Sequence, residues 1–461
     1  MQLNGLSLAI TNVLGGRLNP LSWFAAGEQG AWYDPSDLTT LFQDSAGTTP
    51  ISAVGTVADQ PVGLMRDKSG RGNHAFQATA GNRPMLSARV NLLTKTEDFS
   101  DAVWGKAGVT ATSDSITSTG SIAYIYRAAS LNLPPAIAYS LSCQVKAGTN
   151  NFVALNIQGN GTYWATIIFS INPLNPSVGE LVVGAGAGIT ISNTSISLNS
   201  DGYFTISAVV TSATSVLRYF GVMFAPLLTG NTLSTAYGEI SGNTAGQSFF
   251  IKKADLRPTN AGSLLPPYQR VNTASEYDTV GFPLYLKANG TSSSMSTNSI
   301  DFSITDKMTV VTGVRKLSDA TRGMIGELSS SLDTNNGSFN ISGSVPNATA
   351  NYRYESKGTL VSSADCGTGY IAPINNVLTT QSYIATDSDS MRVNGTLVAT
   401  SPADQGAGNF GNYPFYLFAR AGTSLFLNGQ FYGAIIRGAQ SDNSSVIQTE
   451  QYMATKTGIT F

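Results

Sequence analysis

At 461 residues the chain exceeds what one hydrophobic core usually supports, so two or three domains are expected. Charged residues make up only 12% of it, about half the usual share of roughly 25%, and Gly, Ser, Thr and Asn fill the gaps between apolar runs. With 26 basic against 28 acidic side chains the net charge is −2, which gives no long-range attraction for nucleic acid, so direct DNA or RNA binding is not expected.

From the N-terminus, MQLNGLSLAITNVLGGRLNP carries a short apolar run with no basic segment before it, and no stretch reaches the roughly 20 apolar residues of a spanning helix. A soluble, unprocessed chain without membrane insertion is expected. LGGRLNPLSWFAAGEQG mixes Leu21, Trp23 and Phe24 with glycines. Residues 1–26 therefore read either as an arm that docks on a neighbouring surface or as a segment folding onto its own domain.

Strand signals dominate from there, and helix signals are nearly absent. GEQGAWYDPSDLTTLFQDSAGTTP (Gly27–Pro50) and GLMRDKSGRGNHAFQAT (Gly63–Thr79) are followed by RVNLLTKTEDFSDAVW (Arg89–Trp104). In NFVALNIQ the residues Val153, Leu155 and Ile157 alternate with others, as Phe204, Ile206, Ala208 and Val210 do in YFTISAVV, the period of half-buried antiparallel strands. Pro-Pro at 134–135 and 266–267 forces extended backbone, the second pair near a domain boundary. Asn-Gly at 289–290, 394–395 and 428–429 supplies the positive φ of two-residue hairpin turns, so SMRVNGTLVAT and SLFLNGQFYGAII read as hairpins. SSSMSTNS near 292–299 and the polar tract around 335–344 read as solvated loops. One helix is expected near the C-terminus, capped by Asp442, carrying Val446, Ile447, Glu450 and Met453, and stopped by Gly458.

FPLYLKANGTSSSMSTNSIDFS (Phe282–Ser303) and GNYPFYLFARAGTSLFLNGQFYGAIIRGA (Gly411–Ala439) resume the pattern of the first two segments. Together these four segments resemble the lectin-like laminin-G/concanavalin-A sandwich of tailed-phage structural proteins. The Asn-Leu-Leu opening at Asn91, the tryptophan at Trp104 and the closing SLLPPYQRV (Ser263–Val271) resemble an inserted carbohydrate-binding-module jelly roll. The resemblance implies an all-β chain of two antiparallel sandwiches, one inserted into the other, with a short N-terminal arm and one C-terminal helix. Its expected domains are the arm 1–26, a discontinuous sandwich of 27–90 and 273–461, and an insert of 91–272.

By the same resemblance the chain is expected in a phage virion, assembled in the bacterial cytoplasm, as a homotrimeric tail fibre or receptor-binding protein. The arm would meet other virion proteins and the sandwiches host-surface polysaccharide. A head or tail decoration protein that binds no glycan is the alternative, and a glycan depolymerase the third reading. Sugar binding asks for aromatic platforms, and Tyr163, Trp164, Trp104, Tyr124 and Tyr126 are the candidates, weighed against burial in a core. Tyr163 and Trp164 follow a turn and are favoured.

No enzyme is expected. The single histidine, His74, lacks a recognisable nucleophile and reads as structural. The acid pairs Asp34/Asp37, Glu97/Asp98, Glu276/Asp278 and Asp387/Asp389 sit beside turn formers, where carboxylates cap their own backbone. No cofactor is expected. Calcium is the one metal considered: the loop after Phe-Pro-Leu-Tyr-Leu holds Ala288, Asn289, Gly290, Thr291, Ser292 and Ser293 where relatives carry aspartates, which leaves Asp387 and Asp389 as the acidic cluster. Cys143 and Cys366 read as unpaired small apolar residues.

Overall fold

A computed structural model describes residues 20–52, 59–186, 188–259 and 266–461. They divide into two compact units, one of residues 20–52, 59–87 and 283–461, the other starting at Ala88 and ending at Phe282. Both are all-β, and the only α-helix among the described residues is Asn443–Thr457. None of those residues forms a helix long and apolar enough to cross a membrane.

In the first unit two nine-stranded antiparallel sheets enclose one core. The central strand of one, Asn428–Arg437, pairs along its length with Lys307–Lys316, and on its other side with Tyr285–Asn289 and Gly30–Tyr33 in turn. The facing sheet runs through Met295–Asp301, Asn412–Leu417, Gly323–Leu328 and Ser338–Gly343. Phe339, Phe415, Phe410 and Tyr354 form an aromatic group between them, ring centres 6.0–6.1 Å from Phe339. The C-terminal helix packs Met453 and Ala454 on Val311 and Val377. Its cap is as expected: the Asp442 carboxylate accepts from the Ser445 N–H at 2.7 Å, and Gly458 ends it at φ 69°. Ile447 points to solvent at 40% exposure. The buried Glu450 takes a bidentate pair with Arg392 instead.

Two expected hairpins are corrected. Asn394-Gly395 does make the turn between Ser388–Val393 and Thr396–Ser401, with φ 48° and 78°. Asn428-Gly429 opens a central strand, where a Cβ on Gly429 would stand 2.8 Å from the Arg315 carbonyl oxygen. Asn289-Gly290 carries the chain from one sheet to the other, held by Asn289 Oδ1, which accepts from the N–H groups of Thr291, Ser292 and Ser293. The two polar tracts are not loops either. Strand Met295–Asp301 starts in the first and runs past its end, and Ser338–Gly343 lies within the second, buried throughout. Composition failed as a guide there because the polar side chains of these strands find partners far away in sequence: Asn340 donates to Glu355, and the Thr297 hydroxyl accepts from the Phe415 N–H.

Residues 20–26 of the expected arm lie on their own sandwich. Trp23 and Phe24 pack with Trp32, Ile435 and Tyr452, the Trp23 and Tyr452 rings 5.9 Å apart. The rest of that arm, 1–19, is outside the described residues.

The second unit stacks two six-stranded antiparallel sheets. One runs in the order Ser177–Val183, Trp164–Ser170, Phe152–Gln158, Tyr219–Phe224, Tyr124–Arg127 and Trp104–Ala107; the other centres on Ala138–Ala147 and Ser248–Pro258. Phe224 meets Phe249 across the gap at 4.6 Å. Phe204–Ser212 alternates as its sequence predicts, with Phe204, Ile206, Ala208 and Val210 buried. The ends of the unit are tied by two buried amides. Asn91 donates to the carbonyls of Ala254 and Gln269 and accepts from Leu93 and Leu256. Gln269 accepts from Val90 and Asn91 and donates to the carbonyls of Ala88 and Asp278. The unit therefore extends past 91–272 at both ends. The hairpin of Val271–Thr273 and Glu276–Tyr277 belongs to it, with the Tyr277 hydroxyl accepting from the Ala88 N–H at 3.2 Å.

Candidate functional site: a tyrosine face on the second unit

The outward face of the first six-stranded sheet is set by strand parity. Tyr124 and Tyr126, Tyr219 and Gly221, and Asn156 and Gln158 all point away from the core, since residues two apart share a face. Register aligns Tyr126, Gly221, Asn156 and Thr166 across four strands, and Tyr219, Gln158 and Trp164 in the neighbouring row.

Residues 226–243 fold back over part of this face. The Trp164 indole N–H donates to the Thr235 carbonyl at 3.1 Å, the Thr166 hydroxyl to that of Gly238 at 2.9 Å, and the Asn156 amide to that of Tyr237 at 3.2 Å. Beneath the cover lies a small apolar cluster of Ala154, Ile168, Met223, Ala225 and Ile240. This explains why Phe152–Gln158 is buried on both faces although its sequence predicts a half-buried strand.

The cover decides the fate of the expected sugar-binding aromatics. Trp164 is 4% exposed, its ring against Gly238, and has no free face. Trp104 is 1% exposed and belongs to the interior: its indole N–H donates to the Lys95 carbonyl at 2.9 Å and its ring stacks on Phe99 at 4.9 Å. Both are corrections, with one cause. Large aromatic surfaces contribute most when buried, and here a loop or a core was available to bury them. Tyr163 is half-buried, its ring lying against Gly186.

Tyr124 and Tyr126 come together, ring centres 5.4 Å apart, and Tyr219 joins them edge-on to Tyr126 at 6.2 Å. All three are half-buried. Gly105 makes room for one of the rings: a Cβ there would come within 2.5 Å of the Tyr126 ring. The Tyr124 hydroxyl donates to Glu239 Oε1 at 2.5 Å, and burial first, then that carboxylate, push its pKa upward. No described residue hydrogen-bonds the hydroxyls of Tyr126 or Tyr219. Asn156, 1% exposed, has its Oδ1 without a partner. The result is a shallow aromatic floor with free hydroxyls and a polar margin of Gln158 and Glu239. Tyr219, Gln158 and Glu239 were missed from the sequence. The Tyr219–Gly221 spacing in YFGVMF was the available signal, because it matches that of Tyr124–Tyr126.

The expected metal pair does not converge. Asp387 sits in a left-handed turn at φ 51° and accepts from the Gln405 N–H at 2.8 Å, whereas Asp389 points into the interior and accepts from the Ser356 hydroxyl at 2.8 Å. No group of three or more His, Cys, Asp or Glu gathers among the described residues. Both cysteines are unpaired, Cys143 buried and Cys366 half-buried. Burial pushes the Cys366 thiol up to about 11.

No protein-family model matches the chain, and no curated protein does. Among solved structures it is similar to the Ruminococcus gnavus IT-sialidase CBM40 bound to alpha2,3 sialyllactose, at 16% identity over 32% of this chain and 83% of that one, TM-score 0.27. A second likeness is to the binding domain of Paraclostridial Mosquitocidal Protein 1, at 14% identity over 37% and 43% of the two chains, TM-score 0.30. A third is to the Botulinum neurotoxin serotype D binding domain, at 10% identity over 36% and 42%, TM-score 0.29. At TM-scores of this size nothing about this chain's ligand follows from them.

Proposed function

We propose that the chain is a structural protein of a tailed-phage or prophage virion, a tail fibre or receptor-binding protein, that attaches to host-surface glycan through the tyrosine face of its second unit. The observation that carries the binding is the trio Tyr124, Tyr126 and Tyr219, gathered half-exposed on one sheet face with two hydroxyls free. Pyranose rings present a flat apolar face and a rim of hydroxyls, and such a floor offers a partner to each. The virion setting, the homotrimer and contact with other virion proteins rest on the sequence resemblance.

Binding without catalysis belongs to the same proposal. The acid pairs are engaged elsewhere: Asp34 and Asp37 share Lys68, Asp98 caps Ser100, and Glu276 and Asp278 flank Arg270. The cover over Trp164 favours the competing reading, a decoration or fibre protein with an assembly role alone, since it takes half of the face away from any ligand. Binding of the purified chain to host-surface polysaccharide separates the two. Tyr126→Ala and Tyr219→Ala should each weaken binding about tenfold, which corresponds to ~1.4 kcal/mol. Tyr163→Ala should leave it unchanged. A wild-type chain that retains no polysaccharide leaves the assembly role.

A further inference from the structure

The first unit holds a second surface of different chemistry. An open depression of about 450 Å³ is lined by Ser45, Arg66, Gly72, His74, Phe76 and Asn298, among others. Arg66 is exposed, and its guanidinium lies over the Phe42 ring at 4.4 Å. No described carboxylate pairs with it. Stacking of this kind fixes the plane of the fork and leaves its N–H edge free.

His74 is oriented by the backbone. Its Nδ1 accepts from the Asp67 N–H at 3.0 Å, which assigns the proton of the neutral ring to Nε2, and no described group takes that proton. The acids of the two flanking loops are turned inward. Asp67 accepts from the N–H groups of Trp32, Ser69 and Asn73 and from the Ser69 hydroxyl. Asp44 accepts from the N–H groups of Ala46, Thr48 and Thr49 and from the Thr48 hydroxyl. The lining is therefore rich in donors, with both adjacent carboxylates already satisfied by their own turns.

We propose that this depression binds the carboxylate of an acidic sugar of the uronate class, with Arg66 as its charged partner and His74 Nε2–H as a second donor. A planar carboxylate matches the guanidinium fork in bidentate fashion. The depression lies within the volume range of small-ligand sites, roughly 300–1,000 Å³, and Phe76 offers an apolar side to the sugar ring. This site goes beyond the tyrosine face, lies in the other unit and stands or falls separately.

His74 is the only histidine of the chain, so its imidazole C–H resonances give a single-site reporter in the full-length protein. Titration with galacturonate should shift them saturably, while galactose should need at least tenfold more and inorganic phosphate should not reproduce the effect. Arg66→Gln, at an exposed position, should keep the wild-type melting temperature and lose at least tenfold in affinity. Tyr126→Ala should leave the titration as in wild type. The proposal is overturned by the absence of a saturable shift, by equal response to galactose or phosphate, or by an unchanged response in Arg66→Gln.

Discussion

Two aspartates two residues apart, Asp387 and Asp389, have opposite fates, and the difference is one of solvent. Asp389 is 1% exposed, with the hydroxyls of Ser356, Ser362 and Ser382 around it and no cation. Burial raises its pKa, against the lowering effect of those hydroxyls. The folded chain therefore retains a proton that the unfolded chain has released at the ordinary value of about 3.9. The associated stability is fully present below that value and is lost as pH rises through the folded-state value. Asp389→Asn removes the charge from this buried position. The variant should be more stable than wild type at pH 7, by on the order of 1 kcal/mol, with the advantage vanishing near pH 3. Calorimetry of the pair across that range isolates this residue, because every other carboxylate is common to both. An advantage that did not change with pH would mean that Asp389 has the same pKa in the folded and unfolded chain.

At the scale of elements, what was legible depended on whether neighbours in sequence were neighbours in space. The C-terminal helix announced both of its ends because a cap is a local matter: Asp442 meets Ser445 three residues on, and Gly458 needs only its own φ. Asn394-Gly395 was legible for the same reason. Asn428-Gly429 was not, because what fixes its conformation is Arg315, more than a hundred residues earlier. The aromatic candidates divide along the same line. Tyr124 and Tyr126 share a strand and were found together, but their distinction from Trp164 depends on residues 226–243, a cover whose sequence carries no apolar alternation. That cover is testable at Gly238, which has φ 66° and whose Cβ would stand 2.2 Å from the Trp164 ring. Gly238→Ala combines left-handed strain with overpacking, at a cost of roughly 2–3 kcal/mol. The expected result is a cover displaced from the sheet, a red-shifted tryptophan emission and faster proteolysis within 226–243. An unaltered emission spectrum would mean that the cover tolerates the methyl and is not seated on Trp164.

At the scale of the whole molecule, the sequence reading of an inserted domain rested on motif residues at its two ends, and the structure gives those residues a physical task. Asn91 and Gln269, both fully buried, hydrogen-bond each other's backbone and close the second unit where its chain enters and leaves. A neighbouring ion pair supports the closure: the Asp255 carboxylate accepts from Arg257 and from the Gln269 N–H, while Arg257 reaches the Pro266 carbonyl at 3.1 Å. The partners that close the insert in this way all lie within its own unit. Its buried aromatics, among them Trp104, Phe204, Phe220 and Phe224, also come from its own strands. Gln269→Ala removes the side-chain partner of two N–H groups and two carbonyls, a loss of about 4 kcal/mol when the four groups are counted at roughly 1 kcal/mol each. Thermal unfolding should then show one transition lowered by several degrees and a second, from the first unit, unmoved. Were the whole thermogram to shift as one peak, the two units would unfold as a single cooperative body and the insert could not be treated as a separable module.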